Sequence, residues 1–201
     1  IAFGTVPWSD LFRVTIIPVY VMVVSNLVNM HSGYNGLQSG LSIILISTLL
    51  VKSWRDGVLD SVLIASAFLG AMVAFWWFNK YPSQVFEGNV GSLLFGSVIG
   101  CVIVVQQYWW FGFFILVPHS LNFILWLYWL FMIKKSPEIY LESDGLHKKF
   151  GAVMDDNTIE APNFLTFKWI PNYFFNLTEL QSVLTCYLIT GLFCITGLII
   201  F

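Results

Sequence analysis

The sequence is poor in charged residues and in cysteine. Only 10% of its 201 residues are Asp, Glu, Lys or Arg, whereas ordinary soluble domains carry about 25%. So few charges cannot cover a water-exposed surface, which argues against a soluble globular domain. The three cysteines, Cys101, Cys186 and Cys194, lie inside apolar runs without motif spacing. We therefore expect neither a disulfide nor a metal site from them.

Long apolar runs are abundant instead. Hydrophobic residues make up 58% of the chain, and a transmembrane helix needs about 20 mostly apolar residues. We predict an all-α integral membrane protein with about six transmembrane helices. The predicted spans are 14–28, 41–51 (with a start as early as 37), 58–78, 90–105, 110–133 and 180–201.

One long segment differs from the spans. Residues 134–177 hold most of the charge, with glycines and prolines that mark turns. We therefore predict a five-span membrane region (1–133), one cytoplasmic loop (134–177) and a final transmembrane helix (178–201). The sequence opens without Met and without a signal-peptide pattern, and we expect it to be the later part of a longer polypeptide.

Lysine and arginine are unevenly divided between the two ends of the predicted bundle. The end that receives the loops at 32–36, 79–89 and 134–177 carries six of them, and the other end carries three. Cytoplasmic loops are enriched in Lys and Arg. We therefore predict that the first end faces the cytoplasm.

A polar segment that contains several glycines, residues 26–40, joins the first two spans. Asn26 and Asn29 are three residues apart, which places them on one helical face near the end of the first span. Gly33 and Gly36 allow tight turns and close approach of a ligand. Amides at membrane depth are costly unless they face protein, water or a ligand. The segment is therefore either a ligand site or a closely packed helix–helix turn.

A second polar segment, residues 79–96, joins the third and fourth spans. Its glycines at 88, 91 and 96 stand at the entrance of a predicted helix, where free backbone N–H groups can bind an anion. The alternative is a glycine-rich turn that enters a tightly packed helix. Both segments emerge at the same end of the predicted bundle. A pocket of amides, an aromatic ring and a helix N-terminus suits a nucleotide or a sugar phosphate.

These residues resemble the polyprenyl-phosphate sugar-1-phosphate transferases, and most closely the branch that attaches N-acetylglucosamine phosphate to dolichyl phosphate. MraY of peptidoglycan synthesis is a more distant relative. The similar motifs are Asn-Gly-Leu at 35–37, Tyr-Pro-Ser at 81–83, Val-Phe at 85–86, Val-Pro at 117–118, Asn-Phe at 122–123 and Asn-Leu-Thr-Glu at 176–179. The resemblance implies that the chain is the C-terminal part of a roughly ten-helix fold.

The resemblance also implies an activity. Such enzymes transfer N-acetylglucosamine 1-phosphate from UDP-N-acetylglucosamine to a polyprenyl (dolichyl-type) phosphate and release UMP, the first step of lipid-linked oligosaccharide assembly for N-glycosylation. Mg²⁺ is the implied cofactor. The implied location is the endoplasmic reticulum membrane or an archaeal cell membrane, with the site facing the cytoplasm. The bilayer is a further partner, a homodimer is left open, and no nucleic-acid partner is expected.

Position by position, the resemblance implies roles for six residues. Asn29 and Asn89 are the implied metal ligands, and Asn89 is also the implied catalytic residue. The implied substrate-binding residues are Asn26, Asn35, Phe86 and Gly88. Among these, Asn35 would hydrogen-bond the uracil edge, Phe86 would stack on the uracil ring, and Gly88 would lie near the diphosphate.

Two departures from the family pattern support an alternative. Asn89 stands where the family carries a metal-binding aspartate, and an amide oxygen brings no negative charge to Mg²⁺. The family's acidic pair is expected before residue 1, and we interpret Asp155-Asp156 as turn chemistry rather than a substitute. The alternative is a family member that binds a UDP-sugar without turnover. A third hypothesis is a structural or transport subunit with glycine-rich packing turns.

Overall fold

The computed structural model describes residue 10, residues 12–140 and residues 151–201. Helices dominate this part of the chain, which confirms the predicted all-α class. A π-helical turn (Phe12–Ile16) leads into α1 (Ile17–Met30), and the further elements are α2 (Leu37–Arg55), α3 (Leu59–Asn79), α4 (Gly88–Val105), α5 (Trp109–Ile115), α6 (Val117–Lys135), α7 (Pro137–Tyr140), β1 (Ala152–Val153), β2 (Ile159–Glu160), α8 (Trp169–Phe174) and α9 (Glu179–Ile200).

Five helices in the described part of the chain are long and apolar enough to cross a membrane. They are Arg13–Met30, which includes α1, and the helices α2, α3, α4 and α9. The pair of α5 and α6 adds a sixth if it is counted as one bent span. The prediction of an integral membrane protein with about six spans is therefore confirmed.

The fifth predicted span, 110–133, is broken into two helices. The chain breaks at Leu116 into α5 and α6, whose axes differ by 62°. Pro118 stands in the first turn of α6, and proline has no backbone N–H to donate to the preceding turn. The break therefore falls where a continuous helix would lose a hydrogen bond.

Helix α2 forms the centre of the bundle and packs against α3, α4 and α9, while α1 packs along α4. The core includes Leu45, Ile46 and Leu49 of α2 with Ile99 and Ile103 of α4, all fully buried. Many large apolar side chains on the outer faces of the spans are exposed. Lipid is the solvent in which such faces are stable.

The two ends of the bundle differ in character. At one end Asp56 accepts hydrogen bonds from Lys52 and Tyr108, both at 2.6 Å. These bonds connect the turn after α2 to the turn before α5. The other end, which we call the loop end, carries residues 31–36 and 80–87 and the described part of the predicted 134–177 loop. That part folds into short helices and an antiparallel hairpin of β1 and β2. Residues 141–150 of the predicted loop lie outside the described residues.

Candidate functional site

The segment after α1 turns back on itself at the loop end. Gly36 has a positive φ of 73°, and an added Cβ there would stand 2.9 Å from the Cα of Lys80. Only glycine combines this backbone conformation with so close an approach. Gln38 donates its side-chain amide to the Val28 carbonyl at 2.8 Å, so that the start of α2 is tied to the last turn of α1.

Asn79 organises the second polar segment. Its side chain is buried, accepts a hydrogen bond from the Ser39 hydroxyl at 2.6 Å, and donates to Glu87 and to the Val85 carbonyl, both at 2.8 Å. One amide therefore links α2, the end of α3 and the residue before α4. These bonds set the position of Phe86, which lies between the two acceptors.

Ser92 joins α1 to the start of α4. Its hydroxyl lies 2.5 Å from the side-chain oxygen of Asn29, 2.7 Å from the Gly88 carbonyl and 3.1 Å from the Asn89 carbonyl. The last turn of α1 and the N-terminus of α4 therefore meet at the Ser92 side chain. This contact brings Asn29 and Asn89, the two implied metal ligands, into the same neighbourhood.

The start of α9 supplies a third wall. Glu179 accepts a hydrogen bond from the backbone N–H of Asn35 at 2.6 Å. Tyr34 donates its hydroxyl to Asn172 of α8 at 2.8 Å. Burial raises the pKa of Tyr34, so its hydroxyl stays protonated and can donate. Tyr187 of α9 also donates to the Gly36 carbonyl, which fixes the 31–36 turn against the final helix.

These segments enclose a cavity of about 430 Å³, which we call the candidate site. Its lining residues are Asn29, Ser32, Gly33, Tyr34, Asn35, Gln38, Phe86, Glu87, Gly88, Asn89, Ser92 and Glu179. Five of the six residues singled out from the sequence are therefore together in one cavity. Their individual roles in binding or catalysis stay predictions.

Asn26 is the sixth residue, and the structure does not bring it to the candidate site. It is exposed, and its side-chain amide donates to the Met22 carbonyl of its own helix at 2.8 Å. Three residues rotate a helix by about 300°, so Asn26 points about 60° away from Asn29. The geometry therefore gives no support to its predicted role in substrate binding.

The candidate site is lined by oxygen atoms of the kind that bind cations and by the N-terminus of a helix. Its carboxylates are Glu87 and Glu179, and its amide oxygens include those of Asn29 and Asn89. Helix α4 has 18 residues and begins at Gly88, so its first backbone N–H groups favour an anion here. In the described part of the chain, no group of three or more His, Cys, Asp and Glu residues could hold a metal by itself.

Sequence reasoning missed the contribution of Glu179. The only signal was its place in the Asn-Leu-Thr-Glu motif at 176–179, and its contact with Asn35 spans 144 residues of sequence. Pairing between segments so far apart cannot be inferred from local spacing.

Other polar residues near the loop end have packing or turn roles. His31 is buried and packs its ring against His119 at 4.7 Å and Phe167 at 5.3 Å, as expected for a packing residue. Asp156 accepts from the backbone N–H and the hydroxyl of Thr158 at 2.9 Å and 2.6 Å. Asp156 therefore has the turn role that was predicted for it.

The structure therefore defines a helical integral membrane protein with a polar cavity of ligand size at one end of its bundle. The sequence pattern of the family described as glycosyl transferase family 4 matches residues 1–107, more than half of the chain. The chain belongs to this family.

Individual relatives are consistent with that assignment. The chain is 26% identical over 190 residues to a protein of Methanocaldococcus jannaschii that carries the name of a glycosyltransferase, covering 88% of this chain and 62% of the relative. It is 30% identical over 128 residues to a Sulfolobus acidocaldarius protein named for UDP-N-acetylglucosamine–dolichyl-phosphate N-acetylglucosaminephosphotransferase, covering 61% and 38%.

A bacterial relative shows the same partial coverage. The chain is 31% identical over 111 residues to the phospho-N-acetylmuramoyl-pentapeptide-transferase of Enterococcus faecalis, covering 50% of this chain and 35% of the relative. The chain thus spans less than two thirds of the length of each of these three relatives.

Proposed function

We propose that this protein transfers N-acetylglucosamine 1-phosphate from UDP-N-acetylglucosamine to a polyprenyl phosphate and releases UMP. The observation that carries the proposal is the assembly of Asn29, Asn35, Phe86, Gly88 and Asn89 around one cavity. Two relatives support it: one is named for transfer of N-acetylglucosamine phosphate with dolichyl phosphate as the acceptor, and the other is named as a phospho-N-acetylmuramoyl-pentapeptide-transferase.

The uridine end of the donor would bind between Asn35 and Phe86. The Phe86 side chain is 72% exposed, so its ring face is free to stack on a base, a contact that contributes about 1–3 kcal/mol. Asn35 has donor and acceptor atoms for the edge of the uracil, and Glu179 holds its backbone. The N-terminus of α4 would then lie next to the diphosphate and bind its negative charge.

The donor atoms of the candidate site fit Mg²⁺. Mg²⁺ is usually bound by one or two carboxylates together with substrate phosphates and water. Glu87, Asn29 and Asn89 offer hard oxygen atoms at the start of α4 and the end of α1. Once bound, such an ion would neutralise charge on the phosphates during transfer. The remaining residues of the candidate site would bind and orient the UDP-sugar and hold the UMP that leaves.

The direct test is transfer of radiolabelled sugar phosphate to a polyprenyl phosphate by the purified protein, with and without Mg²⁺. We expect a labelled lipid product and release of UMP in equal amounts, dependent on Mg²⁺. Asn29→Ala should abolish most of the transfer, and Asn26→Ala is its matched control on the same helix. The absence of both labelled lipid and UMP would refute the proposal.

The alternative is a family member that binds a UDP-sugar without turnover. The observation that favours it is Asn89, which lines the candidate site but brings no negative charge. In that case the protein binds the UDP-sugar with negligible transfer, and Asn89→Asp creates activity. Transfer by the unchanged protein would exclude this alternative.

The same proposal includes the orientation of the protein in the membrane. We propose that the candidate site faces the cytoplasm, because the loop end carries the larger share of Lys and Arg. Gln84 lies exposed in the 80–87 loop, and a cysteine placed there in a cysteine-free variant should react with an impermeant thiol reagent only from the cytoplasmic side. Labelling from the opposite side would contradict this orientation.

A further inference from the structure

A second cavity adjoins the candidate site. It has a volume of about 300 Å³ and lies between α6, the turn after α1 and the segment that precedes α8. The two cavities share Ser32 and Gly33 in their walls. Trp126, Trp129 and Trp169 give the second cavity a large aromatic surface. The two cavities are therefore neighbours that meet at the backbone of the 31–36 turn.

Lys168 brings a positive charge to this junction. Its ammonium nitrogen lies 5.4 Å from the ring centre of Tyr34 and 4.8 Å from that of Trp169. A Cβ added to Gly33 would stand 1.9 Å from the same nitrogen. The ammonium group thus rests directly against the backbone that separates the two cavities, and a side chain at position 33 would displace it.

No carboxylate lies within ion-pair distance of this ammonium group among the described residues, where the one ion pair joins Lys52 and Asp56 at the opposite end of the bundle. Burial lowers the pKa of Lys168 to about 8, although the more distant Glu179 and Cys186 oppose the shift. Lys168 is half-buried, and a cation drawn partly out of water without an ion-pair partner is costly. A bound anion would supply the missing charge.

Thr166 is a second group without a partner in this cavity. Its hydroxyl oxygen is buried and makes no hydrogen bond within the described residues, and the residue lines the second cavity. Buried polar groups are nearly always hydrogen-bonded. Asn163, also in the lining, accepts from the Leu165 N–H through its side-chain oxygen at 2.8 Å, which leaves its NH₂ group as a further donor. Cation and donors together match the oxygens of a phosphate.

From this arrangement we propose that the second cavity binds a phosphate group, with Lys168 as the cation and Thr166 and Asn163 as hydrogen-bond donors. The inference deepens the proposed function and rests on it. Two sources offer the same chemistry, namely the diphosphate of the nucleotide sugar and the monophosphate of the lipid acceptor. In either case the phosphate lies in the second cavity, and Ser32 and Gly33 separate it from a nucleotide bound in the candidate site.

Calorimetric titration with UDP and, separately, with farnesyl phosphate tests the proposal for the full chain in dodecyl maltoside. Lys168→Met removes the charge and keeps a flexible stem. We expect a loss of about tenfold to a hundredfold in affinity for the phosphate that Lys168 contacts, as for a charge-assisted hydrogen bond. Loss for UDP alone identifies the diphosphate, loss for farnesyl phosphate alone identifies the lipid acceptor, and loss for both places Lys168 between them.

Three further variants control this experiment. Lys80→Met is the matched control, because Lys80 also lies at the loop end, packs its ammonium group 3.6 Å from the Trp77 ring centre, and lines neither cavity. Lys168→Arg should keep most of the affinity, and Thr166→Val should lose about threefold to tenfold. Each variant is checked for a thermal unfolding transition like that of the unchanged protein.

The possible failures of the two proposals are distinguishable. If the unchanged protein binds UDP or farnesyl phosphate and folded Lys168→Met binds both equally well, the phosphate site is refuted and the proposed function stands. If the unchanged protein binds neither ligand, the proposed function falls and the phosphate site falls with it.

Discussion

The contact between α1 and α4 at Gly96 allows a prediction with a worked magnitude. A Cβ added at Gly96 would stand 2.5 Å from the Ser25 Cα and 2.9 Å from the Ser25 carbonyl oxygen. Ordinary contacts of a Cβ begin near 3.4 Å, so Gly96→Ala must separate the two helices by about 0.9 Å. Overpacking of this kind costs about 1–3 kcal/mol.

The same displacement reaches the candidate site. Ser92 lies one turn before Gly96 on α4, and its hydroxyl is 2.5 Å from the side-chain oxygen of Asn29. A separation of about 0.9 Å would lengthen this contact beyond the normal range of an O–H···O hydrogen bond. We therefore expect Gly96→Ala to lower the free energy of unfolding and to weaken UDP binding by about tenfold.

Gly70 and Gly191 provide matched controls, because a Cβ added at either position meets no atom within 4 Å. Alanine at these helical positions should be neutral or should stabilise by about 0.5–1 kcal/mol. Thermal unfolding in detergent and titration with UDP measure both effects. If Gly96→Ala unfolds at the same temperature as Gly70→Ala and binds UDP equally well, the close approach of α1 and α4 is not required and the reasoning fails.

Four further predictions concern the loop end. Asn79→Ala removes the hydrogen bonds that Ser39 and Glu87 make with the Asn79 side chain and should lower the free energy of unfolding by about 2–4 kcal/mol, measured by thermal unfolding. A decrease of less than about 0.5 kcal/mol would contradict the organising role of Asn79. Phe86→Ala should weaken UDP binding about tenfold in titrations while Phe86→Trp retains it, and equal affinities would exclude stacking. Phosphate binding should weaken as the pH rises through about 8, the pKa of Lys168, because the ammonium group loses its proton; Lys168→Arg should remove this pH dependence. The unfolded chain holds that proton up to a pH near 10.5, so stability should rise with pH between the two values.

Much of the fold could be predicted because lipid imposes simple rules on sequence. Apolar runs and intervening polar, glycine-rich turns located the spans that became α1 to α4 and α9, although α2 (Leu37–Arg55) is longer than the predicted 41–51. The bend at Leu116 was not predicted, although Pro118 was visible. A proline marks where a helix can break, but the packing partners of the two halves decide whether it bends and by how much.

The candidate site was predictable where its residues are close in sequence to a turn. Asn29, Asn35, Phe86 and Asn89 each lie in a short polar segment at the end of a span, and alternation of the spans placed both segments at the same end. Glu179 lies far along the chain, so its contact with Asn35 depended on how α9 packs, which no local pattern specifies.

The charge of Glu179 has two opposing effects on the candidate site. Its carboxylate accepts the Asn35 N–H at 2.6 Å, a charge-assisted bond that contributes about 1.5–3 kcal/mol and holds the residue expected to contact uracil. The same charge lines a cavity proposed to hold a diphosphate. At an effective dielectric constant of about 20, the repulsion between two like unit charges is about 4 kcal/mol at ~4 Å and about 2 kcal/mol at twice that distance. The two effects are therefore similar in size.

Two substitutions at position 179 separate these effects. Glu179→Gln removes the charge and keeps an oxygen acceptor for the Asn35 N–H, whereas Glu179→Ala removes both. We expect the Gln variant to bind UDP at least as tightly as the unchanged protein, because the repulsion is gone and the hydrogen bond persists. Uridine carries no charge, so its affinity responds only to the position of Asn35 and should fall about tenfold in the Ala variant alone. If the Ala variant binds uridine as well as the unchanged protein does, Glu179 does not position Asn35, and its place in the cavity wall has only an electrostatic effect.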